Sequence, residues 1–205
     1  MTDTEDDREN RRLFAVPPDP EAWARLHQRL DRAAQEAGLL DIAYTTTQTP
    51  VGSLLLAATE KGLIRVAYES EDHDAVLQTL ARRVSPRIMR STSRLEATVR
   101  ELEEYFAGRR REFDLPLDLS LSSGFRLAVQ QILPGIAYGQ TASYAQVAER
   151  AGNPRATRAV GTACATNPLP VVVPCHRVLR TDGTLGGYVG GTAAKGTLLE
   201  LESSV

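Results

Sequence analysis

Between Ile42 and Tyr68 the hydrophobic residues fall into three short runs, Ile42–Thr46, Ser53–Ala58 and Leu63–Tyr68. The links between them, Thr49-Pro50-Val51-Gly52 and Glu60-Lys61-Gly62, are turn sequences. A parallel connection needs a crossover of a dozen residues or more, so links this short leave only antiparallel hairpins. A small antiparallel sheet is therefore the fixed point of the fold. Elsewhere the apolar spacing is helical. Asp19-Pro20 reads as a cap followed by a first-turn proline, and Trp23, Leu26, Leu30, Ala33 and Ala37 follow at helical spacing. This helix is expected to dock on the body, with a partner-binding helix as the alternative. Residues 1–18, charged, polar and ending in Pro17-Pro18, read as a disordered leader.

After the strands, a helix is expected over about 73–83. Another should begin at Ser93, which has capping-box spacing to Glu96. Leu95, Val99, Leu102 and Phe106 give it an apolar stripe, and Gly108 a stop. Arg109 to Ser123, with Pro116 and a serine cluster, reads as a linker.

The remainder is mostly helical. Phe125, Val129, Ile132 and Leu133 predict a helix ending near Pro134-Gly135. Ser143 and Gln146 form a second capping-box pair, opening a short helix to about Arg150. Gly152-Asn153 is a turn, and a further helix is expected from Pro154, with Ala156, Ala159, Val160 and Ala163 on one side. Two short helices joined by a glycine turn form the helix-turn-helix pattern. The second carries small residues (Ala156, Ala159, Gly161, Ala163, Ala165), with Arg158 the one long exception. Close helix packing explains this, and so does close approach to a groove, since a helix about 10 Å across meets a minor groove only about 6 Å wide.

Charge sharpens the picture. Residues 124–205 hold seven Lys or Arg and four Asp or Glu, a balance of +3 within a chain of net charge −2. From Ala151 to Thr181 there are four arginines and no acid. A solvated face accounts for this stretch, and so does an anionic partner. No apolar run approaches the ~18 residues of a membrane helix, and the acidic start lacks the apolar stretch of a secretory signal. Two cysteines and three histidines make no disulfide scaffold and offer little to a metal. A cytoplasmic chain with reduced thiols, no cofactor and no metal is the expectation.

The two cysteines differ. Cys164, alone among alanines on a predicted helix, reads as an inert buried residue. Cys175 stands in Pro174-Cys175-His176-Arg177-Val178, after an expected short buried strand, Val171-Val172-Val173. The histidine offers a base and the arginine a positive field, both of which favour a nucleophilic thiolate. On a strand, neighbouring side chains point to opposite faces. Cys175 and His176 therefore need a bridging water or a bent backbone to work together.

These residues resemble the methylated-DNA–protein-cysteine S-methyltransferases, the O6-alkylguanine-DNA alkyltransferases. Beside Pro174-Cys175-His176-Arg177-Val178, the elements Ser143-Tyr144, Arg158-Ala159-Val160-Gly161, Asn167-Pro168, Gly187-Tyr188 and Leu198-Leu199-Glu200-Leu201-Glu202 stand at that family's spacing. The resemblance runs from about Phe125 to Glu202, and more loosely from Ile42 to Phe113. It implies an α+β protein with three parts. Residues 1–40 are a leader with one amphipathic helix. Residues 41–115 form a ribonuclease-H-like domain with a small antiparallel sheet and helices. Residues 116–205 form a mostly helical, winged helix-turn-helix-like domain carrying the acceptor cysteine.

The function it implies is single-turnover DNA repair. O6-alkylguanine, and also O4-alkylthymine, is flipped from duplex DNA through the minor groove, and its alkyl group passes irreversibly to Cys175. By the same resemblance His176 takes the thiol proton through a water, Glu202 orients His176, and Asn167 braces the turn holding Cys175. Tyr144 bonds the purine and crowds a phosphate, Arg158 fills the vacated place in the stack, and Tyr188, Val189 and Gly190 line the pocket. Main-chain carbonyls near Cys175 and Val178 accept from the guanine amine. The implied partner is double-stranded DNA containing the lesion, with no membrane. A monomer is expected, with cooperative assembly on DNA left open. Phe125-Arg126, Gln130 and Val189 depart from the family's usual residues, and its occasional zinc ligands have no counterpart. A non-catalytic lesion sensor, a Cys/His hydrolase and a helix-turn-helix regulator are the rival classes.

Overall fold

The computed structural model describes residues 19–203; the expected disordered leader over 1–18 lies outside them. The described residues up to Leu39 form one compact unit and those from Leu40 onward another. In the first, α1 (Pro20–Glu36) starts where the sequence places it. Asp19 caps it by accepting from the Glu21 N–H at 3.0 Å, with Pro20 in the first turn. Trp23, Leu26 and Leu30 are each about half exposed. No described helix is long and apolar enough to cross a membrane.

The second unit opens with the expected hairpins, β1 (Ile42–Thr49), β2 (Gly52–Thr59) and β3 (Gly62–Tyr68), paired antiparallel. After α2 (His73–Arg83) a fourth strand, β4 (Ile88–Arg90), joins β1 in parallel, giving the order β3-β2-β1-β4. Three residues are too few to show a two-residue period, so β4 leaves no sign in the sequence. Strand alternation divides the core. Leu54 and Leu56 of β2 enter the main cluster, and Ala57 faces a smaller one with Ile42, Ile64 and Leu80. Each fully buried leucine contributes about 1.5–3 kcal/mol.

Three local expectations are corrected. The first concerns α3 (Glu96–Phe106). It begins later than expected, with Leu95 at its N-cap, because residues 93–95 first form a 3-10 turn; the Ser93 hydroxyl lies 3.0 Å from that of Ser91. Gly108 does end this helix, at φ +70°, with the Arg109 N–H on the Glu104 carbonyl.

The second concerns the 109–123 segment, which seals the free edge of β3. The Leu63 N–H donates to Pro116 O at 2.8 Å and Leu117 bridges to Leu63. A Cβ on Gly62 would stand 2.1 Å from Pro116 O, so only glycine admits this contact.

The third concerns the second helix of the helix-turn-helix pair. α4 (Gly124–Ile132) and α5 (Tyr144–Arg150) match the reading, and the Ser143–Gln146 capping box is present. α6 (Thr157–Ala165) begins three residues after Pro154, because the Ala156 N–H closes a turn on Asn153 O.

A short parallel pair, β5 (Ala142–Ser143) with β6 (Val178–Leu179), and the closing helix α7 (Gly191–Ser203) complete the unit. One continuous core runs from the sheet through α3 and α4 to α6 and α7, holding Leu56, Leu102, Val129, Val160 and Leu198. Cys175 and Tyr188 belong to the same cluster.

Candidate active site

Between α6 and β6 the chain makes two tight turns instead of the expected strand. Val171-Val172-Val173 is a turn, and Val171 adopts φ +71°. That conformation is rare for a β-branched residue and is held only by its surroundings. The Val173 N–H bonds Leu169 O at 2.8 Å. Asn167, buried, spans the turn: Nδ2 donates to Val173 O at 2.9 Å and Oδ1 accepts from the Leu169 N–H at 3.0 Å. These two partners fix which way the amide points. The same Nδ2 donates to Cys175 Sγ at 3.1 Å.

Cys175 opens a 3-10 turn, Cys175–Arg177, and is 1% exposed. Burial pushes its thiol up to about 11, while the Asn167 bond and the positive charge of Lys195 act the other way. Cys164 is also buried, and burial raises its thiol as well. No hydrogen bond from Asn167 or any other side chain lowers it, as expected of an inert residue.

His176 is fully buried, and its Nε2 lies 2.9 Å from Glu202 Oε1. Burial lowers the imidazole pKa, against the raising effect of Glu202. Glu202 accepts from Tyr105 Oη at 2.7 Å, Arg177 Nε and Nη2 at 2.8 Å each, and the Gly139 N–H at 3.3 Å. Burial acts to raise this carboxyl, but the bonds from His176, Arg177 and Tyr105 hold it down at about 2. An ionised carboxylate only accepts, so the hydrogen at Nε2 belongs to His176. In the neutral ring Nδ1 is then the bare acceptor, and it is buried with no hydrogen-bond partner. The cluster thus offers a hydrogen-bonded thiol and a neutral base with one open nitrogen.

Arg177 differs from its expected role. Its guanidinium is spent on Glu202 and on Ile136 O, at 2.5 Å, so it gives Cys175 no field of its own. That field comes from Lys195 of α7, which in the sequence is only one more basic residue. Lys195 is fully buried, and its Nζ donates to Val178 O at 2.6 Å and lies 6.0 Å from the Tyr144 ring centre. Burial lowers its pKa. Val178 O, one of the expected purine acceptors, is therefore already engaged on one lone pair.

Tyr105 was also missed. It stands three residues after Leu102, at the helical spacing that placed the rest of the α3 stripe. Tyr144 opens α5 and its Oη lies against Gly186, where a Cβ would be 2.2 Å away. Tyr188 is buried, its ring 6.4 Å from that of His176 in an edge-on arrangement, and Val189 and Gly190 are half-buried beside it. The structure thus gathers Cys175, His176, Glu202 and Asn167, with Tyr188 against His176.

Arg158 stands apart. It is exposed in the first turn of α6, and its side chain makes no hydrogen bond or ion pair to another described residue. Thr157, Ala159, Thr162 and Ala165 are exposed with it, while Val160, Ala163 and Cys164 face the core. A cavity of about 470 Å³ lies beyond Asn167 and Val189, walled also by Arg65, Arg83 and Arg126. Cys175 and Tyr188 do not line it.

Comparison with known proteins agrees with this layout. Residues 42–119 match the family model described as the ribonuclease-like domain of 6-O-methylguanine DNA methyltransferase, and residues 124–204 match its DNA binding domain. The constitutive methylated-DNA–protein-cysteine methyltransferase of Bacillus subtilis is 40% identical, covering 78% of this chain and 94% of the relative. The corresponding protein of Methanosarcina acetivorans is 37% identical, covering 78% and 98%. Among solved structures, Mycobacterium tuberculosis O6-methylguanine methyltransferase superposes with a TM-score of 0.70 at 36% identity, covering 80% of this chain and 93% of that one. A structure of Mycobacterium tuberculosis OGT in complex with DNA gives 0.68 at 37%, covering 79% and 93%. With both domains matched in order and most of each relative covered, this chain belongs to the methylated-DNA–protein-cysteine methyltransferase family.

Proposed function

We propose that this protein repairs DNA by moving an alkyl group from O6-alkylguanine to Cys175 Sγ, once per molecule. The observation that carries the reading is the pairing of two groups. One is a buried thiol that accepts from Asn167 Nδ2 at 3.1 Å. The other is an imidazole pinned through Nε2 to an ionised Glu202, leaving Nδ1 as a bare acceptor. As the sulfur–carbon bond forms and the carbon–O6 bond breaks, the thiol proton passes to Nδ1 through one water. The electron pair returns to the purine, which accepts a hydrogen bond from the Tyr144 hydroxyl and is neutralised by the proton taken from the thiol, released by His176 through solvent. Asn167 and Lys195 steady the negative charge building on sulfur during the displacement. The product is a thioether with no second nucleophile to remove it, so the chain is consumed.

Residues 116–205 bind duplex DNA in this proposal, and residues 41–115 support them. The exposed small residues of α6 enter an opened minor groove, and Arg158 takes the place of the extruded nucleotide. Tyr188, Val189 and Gly190 wall the pocket, and Val178 O takes the guanine amine on its second lone pair. Because Cys175 is 1% exposed, the flipped base must part the Tyr188–Gly190 segment as it enters.

The test is a duplex carrying labelled O6-methylguanine. Label transfer should stop at one group per chain, mass spectrometry should place that group on Cys175, and Cys175→Ser should abolish transfer. Repeated turnover, or an unmodified Cys175 after the lesion has gone, overturns the proposal.

A further inference from the structure

The sheet of the N-terminal half reaches into the site. Tyr68, the last residue of β3, is 3% exposed, and its Oη lies 3.0 Å from that of Tyr188. The two rings meet nearly edge-on, 5.8 Å between centres at 75°. Tyr188 in turn lies edge-on to His176. A Cβ placed on Gly190 would fall 2.5–2.6 Å from three carbons of the Tyr68 ring, a distance real contacts do not reach. Tyr68 thus fills the space directly behind residues 188–190.

It is itself firmly held. The Tyr68 N–H donates to Glu71 Oε1 at 2.9 Å, and Glu71 pairs with Arg65. Arg65 Nη1 reaches Asn167 O at 3.4 Å, and the Val66 N–H donates to Pro168 O at 2.8 Å. One edge strand therefore grips both the turn that positions Cys175 and the tyrosine that walls the pocket.

We propose that Tyr68 is a specificity-determining residue of the alkyl transfer, the rear wall that fixes Tyr188 and so limits the size of alkyl group Cys175 accepts. This rests on the reading of Tyr188, Val189 and Gly190 as the pocket wall. A methyl group makes few contacts and depends on a fixed Tyr188 to stand in line with Sγ. A benzyl group fills the pocket and holds itself in place. Removing the Tyr68 hydroxyl frees the Tyr188 ring, which harms the small group and leaves the large one little affected.

The experiment uses two duplexes identical except for O6-methylguanine or O6-benzylguanine, with single-turnover rates for the full chain and Tyr68→Phe. Methyl transfer should fall about tenfold while benzyl transfer stays within about threefold, raising the benzyl-to-methyl ratio. A merely structural tyrosine moves both rates together or neither, and an unchanged ratio overturns the proposal. A second pair guards against misfolding. Gly190→Ala should slow both transfers at least about tenfold, and adding Tyr68→Ala should restore benzyl transfer to within about threefold of the parent, because the collision is gone. Absence of that rescue also overturns it. The underlying reading fails separately, since loss of label from Cys175 in the parent chain is a different result from an unchanged ratio with Cys175 labelled.

Discussion

The cluster beneath Cys175 and the outer face of α6 lie within one stretch of chain, yet they are built on opposite terms. Around Glu202 everything is sealed: His176 and Glu202 are 0% and 1% exposed at the side chain, and Arg177 is 7% exposed. Every polar atom there except His176 Nδ1 is engaged. On α6 the side chains toward solvent are small, and Arg158 extends from them with no partner among the described residues. Chemistry on a thiol needs a dry, fixed frame in which one acceptor stays open. In the proposed function α6 meets DNA, which needs a bare, low surface and a charge free to move. Damage to the first region should therefore appear as lost stability and lost chemistry together. Damage to the second should leave the fold untouched and appear only on duplex DNA.

Glu202→Gln tests the first half of that contrast and should have the largest effect. Gln keeps the shape but leaves the buried Arg177 without its counter-charge, and breaking a buried pair in this way costs about 3–5 kcal/mol. Urea denaturation should show a loss of that order, together with slow alkyl transfer. A loss below about 1 kcal/mol would place Glu202 with surface ion pairs.

Acid should act through the same group. The Glu202 pKa is about 2 in the fold against an ordinary 4.5, so the unfolded chain binds its proton first. The stability it provides is complete above about pH 4.5 and drains away as pH falls toward 2. His176, whose pKa is lowered from 6.5, adds a loss in the same direction that begins below 6.5. Glu202→Gln should flatten the lower part of this profile in pH-dependent melts.

His176 separates chemistry from stability within the sealed region. With the thiol near 11, almost none of it is ionised at neutral pH, so the proton must leave as the sulfur attacks. With a neutral His176 to receive it, the transfer rate should be flat from pH 7 to 9 and fall only in acid beyond the ordinary imidazole range, because burial holds the His176 pKa down. In His176→Gln the rate should be far lower at pH 7 and climb about tenfold per pH unit, following the small thiolate fraction. A flat profile in the variant would remove His176 as the proton acceptor.

How much of this was legible in the sequence follows from range. The hairpins of β1–β3, the Ser143–Gln146 capping box and the Gly108 stop are set by residues a few positions apart, and local spacing revealed them. β4 was too short to show a period. The 109–123 segment reads as a linker because its partner, the edge of β3, is far away in sequence, Leu63 pairing with Leu117. Cys175 and His176 stood out by their local motif, and Asn167 and Glu202 were named through a resemblance that preserves their order. Spacing alone could not bring Glu202 to His176 or turn Arg177 away from the thiol. Lys195 carried no local sign, since only burial against Val178 O distinguishes it from any other lysine. Val171 misled because three valines favour a strand, and the positive φ that makes them a turn is imposed by Asn167 from outside the run.

The smallest expected effect on the fold, and the cleanest test of the second region, is Arg158→Ala. The side chain is exposed and has no partner among the described residues, so its removal should leave stability within about 0.5 kcal/mol. If Arg158 stands in for the extruded nucleotide, its loss falls on a step that only a stacked base requires. Extruding a base costs a few kcal/mol, and losing a fraction of the compensation slows duplex repair by about tenfold or more. Free O6-benzylguanine is never in a stack, so its reaction with Cys175 should stay within about twofold of the parent. Arg158→Lys adds a finer distinction, because it keeps the charge and removes the flat guanidinium. Restoration by lysine would reduce Arg158 to a phosphate contact whose effect fades with added salt. Failure of lysine to restore the rate assigns the effect to stacking by the planar group. If Arg158→Ala slows the free base as much as the duplex, α6 and the acceptor site are coupled and the contrast between the two regions does not hold.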